Sequence, residues 1–175
     1  MKAFAVIGAN FGDEGKGVTT AKLAFDNPGA IVVRSAGGGQ ASHSVEFQGK
    51  RHAFRHIGSG TWMGSPTYLS SKFIVNPIIF LKEVSALPGH LNVSVNPDCR
   101  LTTPFDMMLN QSIEQSRGSS RHGSCGLGIN ETVVRCLSDF KTTVSDINGS
   151  LRQRLIDIRE DYTIPRYLSL GIEIP

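Results

Sequence analysis

The first part of the chain alternates between short apolar runs and segments rich in glycine and polar residues. Ala3 to Gly8 is a continuous apolar run that ends in glycine, which is typical of a buried strand, and residues 18–25 (VTTAKLAF) have the spacing of a helix. Residues 26–29 (DNPG) are expected to stop that helix, and Ile31 to Arg34 predicts a second strand. Strand, glycine loop and helix in this order predict the opening of an α/β nucleotide-binding fold.

The alternation of strands and helices continues beyond residue 40. His43–Gln48 and His52–Ile57 flank Gly49-Lys50, a pattern that predicts a β-hairpin. The later segments predict a strand, a helix, a strand and a helix, in the order Tyr68–Val75, Ile78–Val84, Leu91–Val95 and Met107–Ser116. We therefore expect an α/β fold with a mainly parallel central sheet, flanking helices and a small β-hairpin.

Composition and charge narrow the class of protein. The 175 residues are 39% hydrophobic and 19% charged, as expected for one soluble globular domain. The formal charge of +3 is scattered, so neither nucleic acid nor a membrane surface is expected as a partner. Cys99, Cys125 and Cys136 are odd in number and lack CxxC spacing, and no apolar stretch approaches membrane-spanning length. We expect a cytoplasmic protein with reduced thiols.

The segment between the first predicted strand and helix has the residues of a phosphate-binding loop. In Gly12 to Gly17 (GDEGKG) the glycines let the backbone curl, so that its N–H groups, the helix N-terminus and Lys16 can hold phosphate. It is not a Walker A loop, because Asn10 stands at the position of the first glycine and Gly17 follows the lysine. A glycine loop alone would also suit a plain strand-to-helix turn.

Two successive segments resemble the motifs of one enzyme family. Residues 6–17 (VIGANFGDEGKG) resemble GxxWGDEGKG, the signature of adenylosuccinate synthetases, with Phe11 in place of tryptophan. Residues 33–44 (VRSAGGGQASHS) are similar to the family's VRxxGGxNAGHT, with Gln40 in place of asparagine and Ser42 in place of glycine. The two motifs follow each other at the spacing of the family.

The resemblance extends over most of the chain. Residues 123–129 (GSCGLGI) look like the family's GTTGRGIG, with Cys125 in place of a phosphate-binding threonine. The similarity implies that residues 1–137 are the nucleotide- and phosphate-binding part of a synthetase domain with a P-loop-NTPase-like fold. Residues 138–175 match no motif of the family and are expected to continue the α/β fold, in a chain that is incomplete. On this basis the chain resembles the N-terminal half of a synthetase, from a divergent lineage.

The resemblance also implies a reaction and a set of site residues. The family joins L-aspartate to IMP at the expense of GTP, with Mg²⁺, in purine biosynthesis. Asp13 would act as the general base on N1–H of IMP, and His43 would stabilise charge on the phosphate and the C6 oxygen. GTP and its phosphates would contact Gly12, Glu14, Gly15, Lys16, Gly17 and Ser42. IMP would contact Gln40, Ala41, Ser124, Cys125 and Arg135. Mg²⁺ would be bound by Asp13 and the backbone carbonyl of Ser42.

Each of these residues also has an ordinary structural explanation. A loop aspartate such as Asp13 is commonly a cap, a lone histidine such as His43 is often a satisfied polar residue, and Lys16 can be a solvated charge. The family order of the motifs favours the functional interpretation. The resemblance to the family further implies a homodimer, in which Arg135 reaches across to the nucleotide phosphate of the other subunit.

Two other functions compete with the IMP ligase. Related synthetases of some phages act on dGMP and carry a small residue at the position matching Asp13, so the aspartate favours IMP. The chain can also be a nucleotide-binding paralogue or fragment without catalysis, since the family's guanine-recognition and arginine-rich motifs are not identifiable in it. Activity of the isolated 175 residues is left open.

Overall fold

Short parallel strands and flanking helices make up the computed structural model, which describes residues 2–10 and 12–175. The strands are β1 (Val32–Arg34), β2 (Gly37–Gly38), β3 (His43–Phe47), β4 (Lys50–Phe54), β5 (Thr67–Leu69), β6 (Phe73–Val75), β7 (Val93–Val95) and β8 (Arg100–Leu101). The helices are α1 (Lys16–Asp26), α2 (Pro77–Ala86), α3 (Pro104–Ser116), α4 (Ile129–Arg135), α5 (Leu151–Asp157) and α6 (Ile164–Leu170), with a π-helical segment, Ile158–Thr163, between the last two.

The strands form two parallel sheets and one hairpin. One sheet has the order β1-β5-β7 and the other the order β2-β6-β8, while β3 and β4 pair in antiparallel fashion. Each strand of the first sheet is followed in the chain by the corresponding strand of the second. The predicted α/β fold with parallel sheets, flanking helices and a hairpin is therefore confirmed. The predicted single strand Tyr68–Val75 is wrong, because the chain turns at Ser70 and its two halves join different sheets.

Two apolar clusters support these sheets. The first packs the hairpin and α1 around Phe54, whose ring meets that of Trp62 edge-on at 5.2 Å between centroids. The second lies around Leu69 and Phe73, which belong to the successive strands β5 and β6 of the two sheets.

The N-terminal segment departs from its prediction. Lys2 to Gly8 has no strand assignment, and Phe4 and Ile7 are 57% and 85% exposed. The expected buried strand from Ala3 to Gly8 is therefore wrong for this structure. A strand needs a neighbour to pair its backbone N–H and C=O groups, and no described strand pairs with this segment. Phe11, which replaces the family's tryptophan, lies outside the described residues.

The start of α3 is fixed by its capping residues. The Thr103 N–H donates to Oδ2 of Asp106 at 2.7 Å, and the Asp106 N–H donates to Oγ1 of Thr103 at 3.3 Å, which forms a capping box. Pro104 occupies the first turn, as the sequence predicts. The helix runs from this cap towards residues 117–128. Its C-terminal half consequently faces residues 122–128, which we call the third glycine-rich segment.

The last 38 residues are mainly helical. Their one described strand-like contact is an isolated bridge between Thr143 and Arg100. The division of the chain at Leu137 stays a prediction. Among the described residues, no helix combines the length and apolar character needed to cross a membrane.

Candidate functional site

The loop before α1 has the backbone of an anion-binding turn. Gly12, Asp13 and Gly15 all have positive φ, at 130°, 51° and 74°, so the chain curls sharply into the helix. No side chain caps the first turn of α1, which leaves its N-terminal N–H groups available to a ligand. The Asp13 side chain is exposed and forms no ion pair with any described residue. This aspartate is therefore free to meet a substrate.

Lys16 and Glu14 neutralise each other in this loop. Lys16 Nζ donates to one carboxylate oxygen of Glu14, and the Asn10 N–H donates to the other. The hydrogen bond from Lys16, with that from Asn10, lowers the pKa of Glu14 below its ordinary value.

Gly17 brings the first motif into contact with the second. A Cβ added at Gly17 would lie 2.7 Å from Cβ of His43 and 3.1 Å from its backbone atoms, because the first turn of α1 packs directly on β3. Real Cβ atoms do not approach that closely. The glycine that stands in place of the Walker A serine or threonine is thus required by packing, and it places His43 beside the lysine turn.

His43 is oriented by a buried arginine. Nη1 of Arg34 lies 2.7 Å from Nδ1 of His43 and 3.4 Å from Nε2, and Nη2 of Arg34 donates to the carbonyls of Ala41 and Arg55, each at 2.8 Å. Because an arginine can only donate, the closer nitrogen, Nδ1, is the acceptor and Nε2 carries the proton. Burial, with the charges of Arg34 and Lys16, lowers the pKa of His43 to about 4. The ring is therefore neutral at pH 7 and has one N–H to donate.

The second and third glycine-rich segments lie against each other. A Cβ at Gly38 would lie 2.7 Å from Cδ1 of Ile129, and one at Gly39 would lie 3.8 Å from Cδ1 of Leu127. The loops that carry Gln40 to His43 and Ser124 to Ile129 consequently share one surface. The predicted site residues differ in burial. The exposed ones are Gly12, Asp13, Gly15, Gln40, Ser42, Ser124 and Cys125, the half-buried ones are Glu14, Lys16, Ala41 and His43, and the buried ones are Gly17 and Arg135.

Arg135 is the predicted site residue that the structure places elsewhere. Its side chain is completely buried, with Nε and Nη2 each 2.9 Å from a carboxylate oxygen of Asp106. Further bonds run to the carbonyls of Leu101 and Phe140, at 2.7 and 2.6 Å. A guanidinium saturated inside its own chain cannot reach a nucleotide on another subunit in this conformation. In this conformation Arg135 has a structural role, and its contact across the dimer stays a prediction.

Sequence reasoning gave no role to two residues that the structure puts at the site. Arg34, which orients His43, stands in the second motif at the end of β1, and its position beside that loop was the available signal. Glu114 contacts the third glycine-rich segment from α3. It carries no sequence signal, because only the fold brings residues eight to ten positions apart together.

The residues present suit Mg²⁺ only in the company of phosphate. No group of three or more His, Cys, Asp or Glu side chains capable of holding a metal occurs in residues 2–10 and 12–175. Mg²⁺ is commonly bound by one or two carboxylates together with substrate phosphates and water, so it needs few ligands from the protein. The exposed carboxylate of Asp13, which has no ion-pair partner among the described residues, can be one of them.

The profile of one family, adenylosuccinate synthetase, matches residues 5–162. The chain belongs to the adenylosuccinate synthetase family. The match continues past Leu137, where the motif-by-motif resemblance stops.

Curated members of the family give the extent of the similarity. The adenylosuccinate synthetase of Microcystis aeruginosa is 33% identical over 163 residues, which are 89% of this chain and 36% of that protein. The enzyme of Limosilactobacillus fermentum is 28% identical over 152 residues, 84% of this chain and 35% of the relative. The chain thus spans about a third of the length of these synthetases, and the expected half is corrected to a third.

Two solved structures share the fold. The fully ligated adenylosuccinate synthetase of Plasmodium falciparum matches with a TM-score of 0.80 at 18% identity, over 91% of this chain and 39% of that one. The succinoaminodeoxyadenylate synthetase of cyanophage S-2L, bound to dGMP and to dATP as energy donor, matches with a TM-score of 0.55 at 21% identity, over 71% and 35%. At these identities the likeness is one of fold.

Proposed function

We propose that this chain provides the phosphate-handling part of a GTP-dependent ligase that joins L-aspartate to IMP to give adenylosuccinate. The observation that carries the proposal is the contact between Gly17 and His43, which sets the GDEGKG turn beside a neutral imidazole. A loop that grips phosphate and a donor that stabilises developing oxyanion charge are the two elements that such a ligase requires. Membership of the family supports the same reaction.

The chemistry of the reaction gives each residue a defined task. Asp13 takes the N1 proton of IMP, and the resulting C6 oxyanion attacks the γ-phosphorus of GTP, so that the bond to the β-phosphate oxygen breaks and GDP leaves. The amino group of aspartate then forms a bond to C6, loses a proton, and displaces phosphate together with the C6 oxygen. In both steps His43 Nε2–H donates a hydrogen bond to the C6 oxygen or the transferred phosphoryl group.

The phosphate contacts follow from the geometry of the first loop. The uncapped N–H groups at the start of α1 face the negative phosphates of GTP, and Lys16 turns from Glu14 to a phosphate oxygen. Mg²⁺, when bound by Asp13, the carbonyl of Ser42 and phosphate oxygens, would neutralise phosphate charge. The other proposed GTP contacts are Gly12, Glu14, Gly15, Gly17 and Ser42. The proposed IMP contacts are Gln40, Ala41, Ser124 and Cys125. Arg135 would have to leave Asp106 before it could join the IMP set.

Action on dGMP is the second candidate, and one observation favours it. The cyanophage enzyme that shares this fold is named for a succinoamino-deoxyadenylate product and binds dGMP. Against it, the exposed Asp13 carboxylate would crowd the 2-amino group of guanine. Competition titrations of the chain with IMP and dGMP, read by calorimetry, discriminate the two. Tighter binding of dGMP would assign the chain to the dGMP-type activity.

A homodimer in the cytoplasm is part of the same proposal.

The third candidate is a nucleotide-binding protein without catalysis, which the family match over a third of a synthetase also allows. Base selectivity and aspartate binding require polar groups that the described loops do not supply. We therefore expect the 175-residue chain to bind purine nucleotides weakly, to discriminate poorly between GTP and ATP, and to form no adenylosuccinate.

The test is a nucleotide titration with a matched pair of lysine variants. Lys16→Ala should weaken GTP binding by roughly tenfold, the size of one charged hydrogen bond. Lys22→Ala is the control, because Lys22 lies on the same helix, is exposed and has Asp26 as its one ion-pair partner in the described part of the chain. Equal loss in both variants would show nonspecific charge attraction and contradict the proposed phosphate site. Adenylosuccinate formation by the purified chain would contradict the need for further residues.

A further inference from the structure

Side chains of α3 hold the third glycine-rich segment along its length. The carboxylate of Glu114 accepts hydrogen bonds from the N–H groups of His122 and Ser124, the second at 3.1 Å. Four residues earlier, Oδ1 of Asn110 accepts from the Ser124 hydroxyl at 2.9 Å and from the Gly128 N–H at 3.3 Å. Asn110 and Glu114 share one face of the helix because a spacing of four residues is about one turn. The two side chains tether both ends of the segment.

The close approach of the segment to the helix depends on Gly128. This residue has φ of 70°, and a Cβ there would lie 2.7 Å from the backbone carbon of Asp106 and from the N atom of Met107. Nε2 of Gln111 donates to the carbonyl of Gly126 at 3.0 Å, near the middle of the segment. The segment therefore packs along α3 and is not a free loop.

The hydrogen bonds divide the backbone amides of the segment into two sets. The N–H groups of His122, Ser124, Gly126 and Gly128 each have an acceptor within the chain. The alternate N–H groups, those of Gly123, Cys125 and Leu127, have none among the described residues. One set of donors is thus used to fix the segment, and the other set is available to an anion.

Glu114 is able to lie near an anion site because its own charge is satisfied. Its residue is 9% exposed, and a guanidinium nitrogen of Arg117 lies 3.7 Å from its carboxylate. Burial raises the pKa of Glu114, but the N–H groups of His122 and Ser124 outweigh it and leave the pKa below the ordinary value. The carboxylate is therefore ionised at neutral pH and saturates the amides that point towards it.

We propose that Glu114 and Asn110 are positioning residues, which hold residues 122–128 so that the N–H groups of Gly123, Cys125 and Leu127 bind the phosphate of a purine nucleoside monophosphate. The proposal rests on the proposed function, since it concerns the same nucleotide site. It adds the two side chains that shape the loop. Neither positioning side chain touches the nucleotide.

The decisive variant is Glu114→Gln, which keeps the size of the side chain and replaces one acceptor oxygen by a donor. The N–H groups of His122 and Ser124 donate to different carboxylate oxygens, and glutamine keeps an acceptor at only one of these two positions, so the tether loses one bond. In ¹⁵N-resolved spectra the signals of His122 and Ser124 should shift and their hydrogen exchange should accelerate. IMP binding should weaken by roughly tenfold, the size of a hydrogen bond to a charged group. GTP binding should change less, because the GDEGKG turn lies on another element.

The controls separate positioning from a general loss of structure. Gln115→Ala changes the next, exposed residue of α3 and should leave both nucleotides bound as in the wild type. Glu114→Asp retains a carboxylate and should restore part of the IMP affinity. Asn110→Ala removes the second tether and gives an independent test should the first variant fail to fold. Its expected effect is the same loss for IMP with faster exchange at Gly128.

The outcomes distinguish this inference from the proposed function. A wild-type chain that binds neither IMP nor inorganic phosphate would overturn the phosphate site and, with it, the proposed function. If the wild type binds IMP and Glu114→Gln binds it equally well, the proposed function stands and the positioning role is overturned. Equal weakening of IMP and GTP by Glu114→Gln, with a lowered melting temperature, would also overturn it.

Discussion

Nη1 of Arg34 lies 2.7 Å from Nδ1 of His43, and this contact assigns the ring proton to Nε2. Arg34 is itself buried under the ring, held by two backbone carbonyls and stacked over Phe73 at 5.4 Å from the ring centroid. The consequence is a neutral histidine that donates from one fixed nitrogen. Such a group can stabilise an oxyanion without first losing or gaining a proton.

Arg34→Gln should raise the pKa of His43 from about 4 towards its ordinary value. The charge of Arg34 is the second cause of the depression, after burial, so removing it leaves a smaller shift. The ring proton signals of His43 followed against pH by NMR measure the effect. Arg51→Gln is the control, since Arg51 is exposed on β4. An unchanged titration in Arg34→Gln would contradict the assigned contact.

Acidification below pH 6.5 should destabilise the fold through His43. A histidine whose folded pKa lies below its unfolded pKa of about 6.5 binds fewer protons when folded, so stability falls as the pH drops through 6.5 towards 4. The full shift would correspond to about 3 kcal/mol at 1.4 kcal/mol per pH unit, and less here because the ring is partly exposed. Urea denaturation between pH 7 and 4.5 measures it. The slope should flatten in His43→Gln.

Gly17→Ala should lower the free energy of unfolding by about 1–3 kcal/mol, as for other overpacked sites. The new methyl group would lie 2.7 Å from Cβ of His43, and relief requires α1 to move away from β3. Gly149→Ala is the matched control, because a Cβ at Gly149 meets nothing within 4 Å. Chemical denaturation of both variants decides the point. Equal stability of the two would mean that the helix does not pack on His43.

Arg135→Met should cost about 3–5 kcal/mol of stability, because it leaves the buried carboxylate of Asp106 without its partner. The control is Arg152→Met on α5, where the side chain is exposed and has no ion pair among the described residues. Thermal or urea denaturation gives the difference. If Arg135→Met folds with wild-type stability and loses IMP affinity, the result would contradict the structural role and support the phosphate role implied by the family motif.

Asp13→Asn should abolish ligation in any preparation that forms adenylosuccinate. The amide cannot take the N1 proton, and loss of a general base typically costs about 10²-fold to 10⁴-fold in rate. Nucleotide binding should persist, since the backbone amides of the loop are unchanged. Product formation and GTP binding are measured side by side. Ligation at the wild-type rate would show that Asp13 is not the base.

Local sequence determined those elements whose cause lies within a few residues. The cap at Thr103 with Pro104 predicts where α3 begins, and Gly49-Lys50 predicts the β3–β4 hairpin, because capping and turn bonds form between near neighbours. The glycines of the GDEGKG and GGGQASH segments likewise predict phosphate-type loops, and that role stays a prediction. Their order along the chain was sufficient to place the chain in its family.

Tertiary structure decided whatever depends on a distant partner. Ala3 to Gly8 has the residues of a buried strand, yet it forms none, because a strand exists only where a neighbouring backbone pairs with it. The same dependence places Arg135 inward on Asp106, Arg34 beneath His43, and Glu114 under the third loop. Charged side chains take the partner that burial brings to them, and a linear sequence does not specify which one that is.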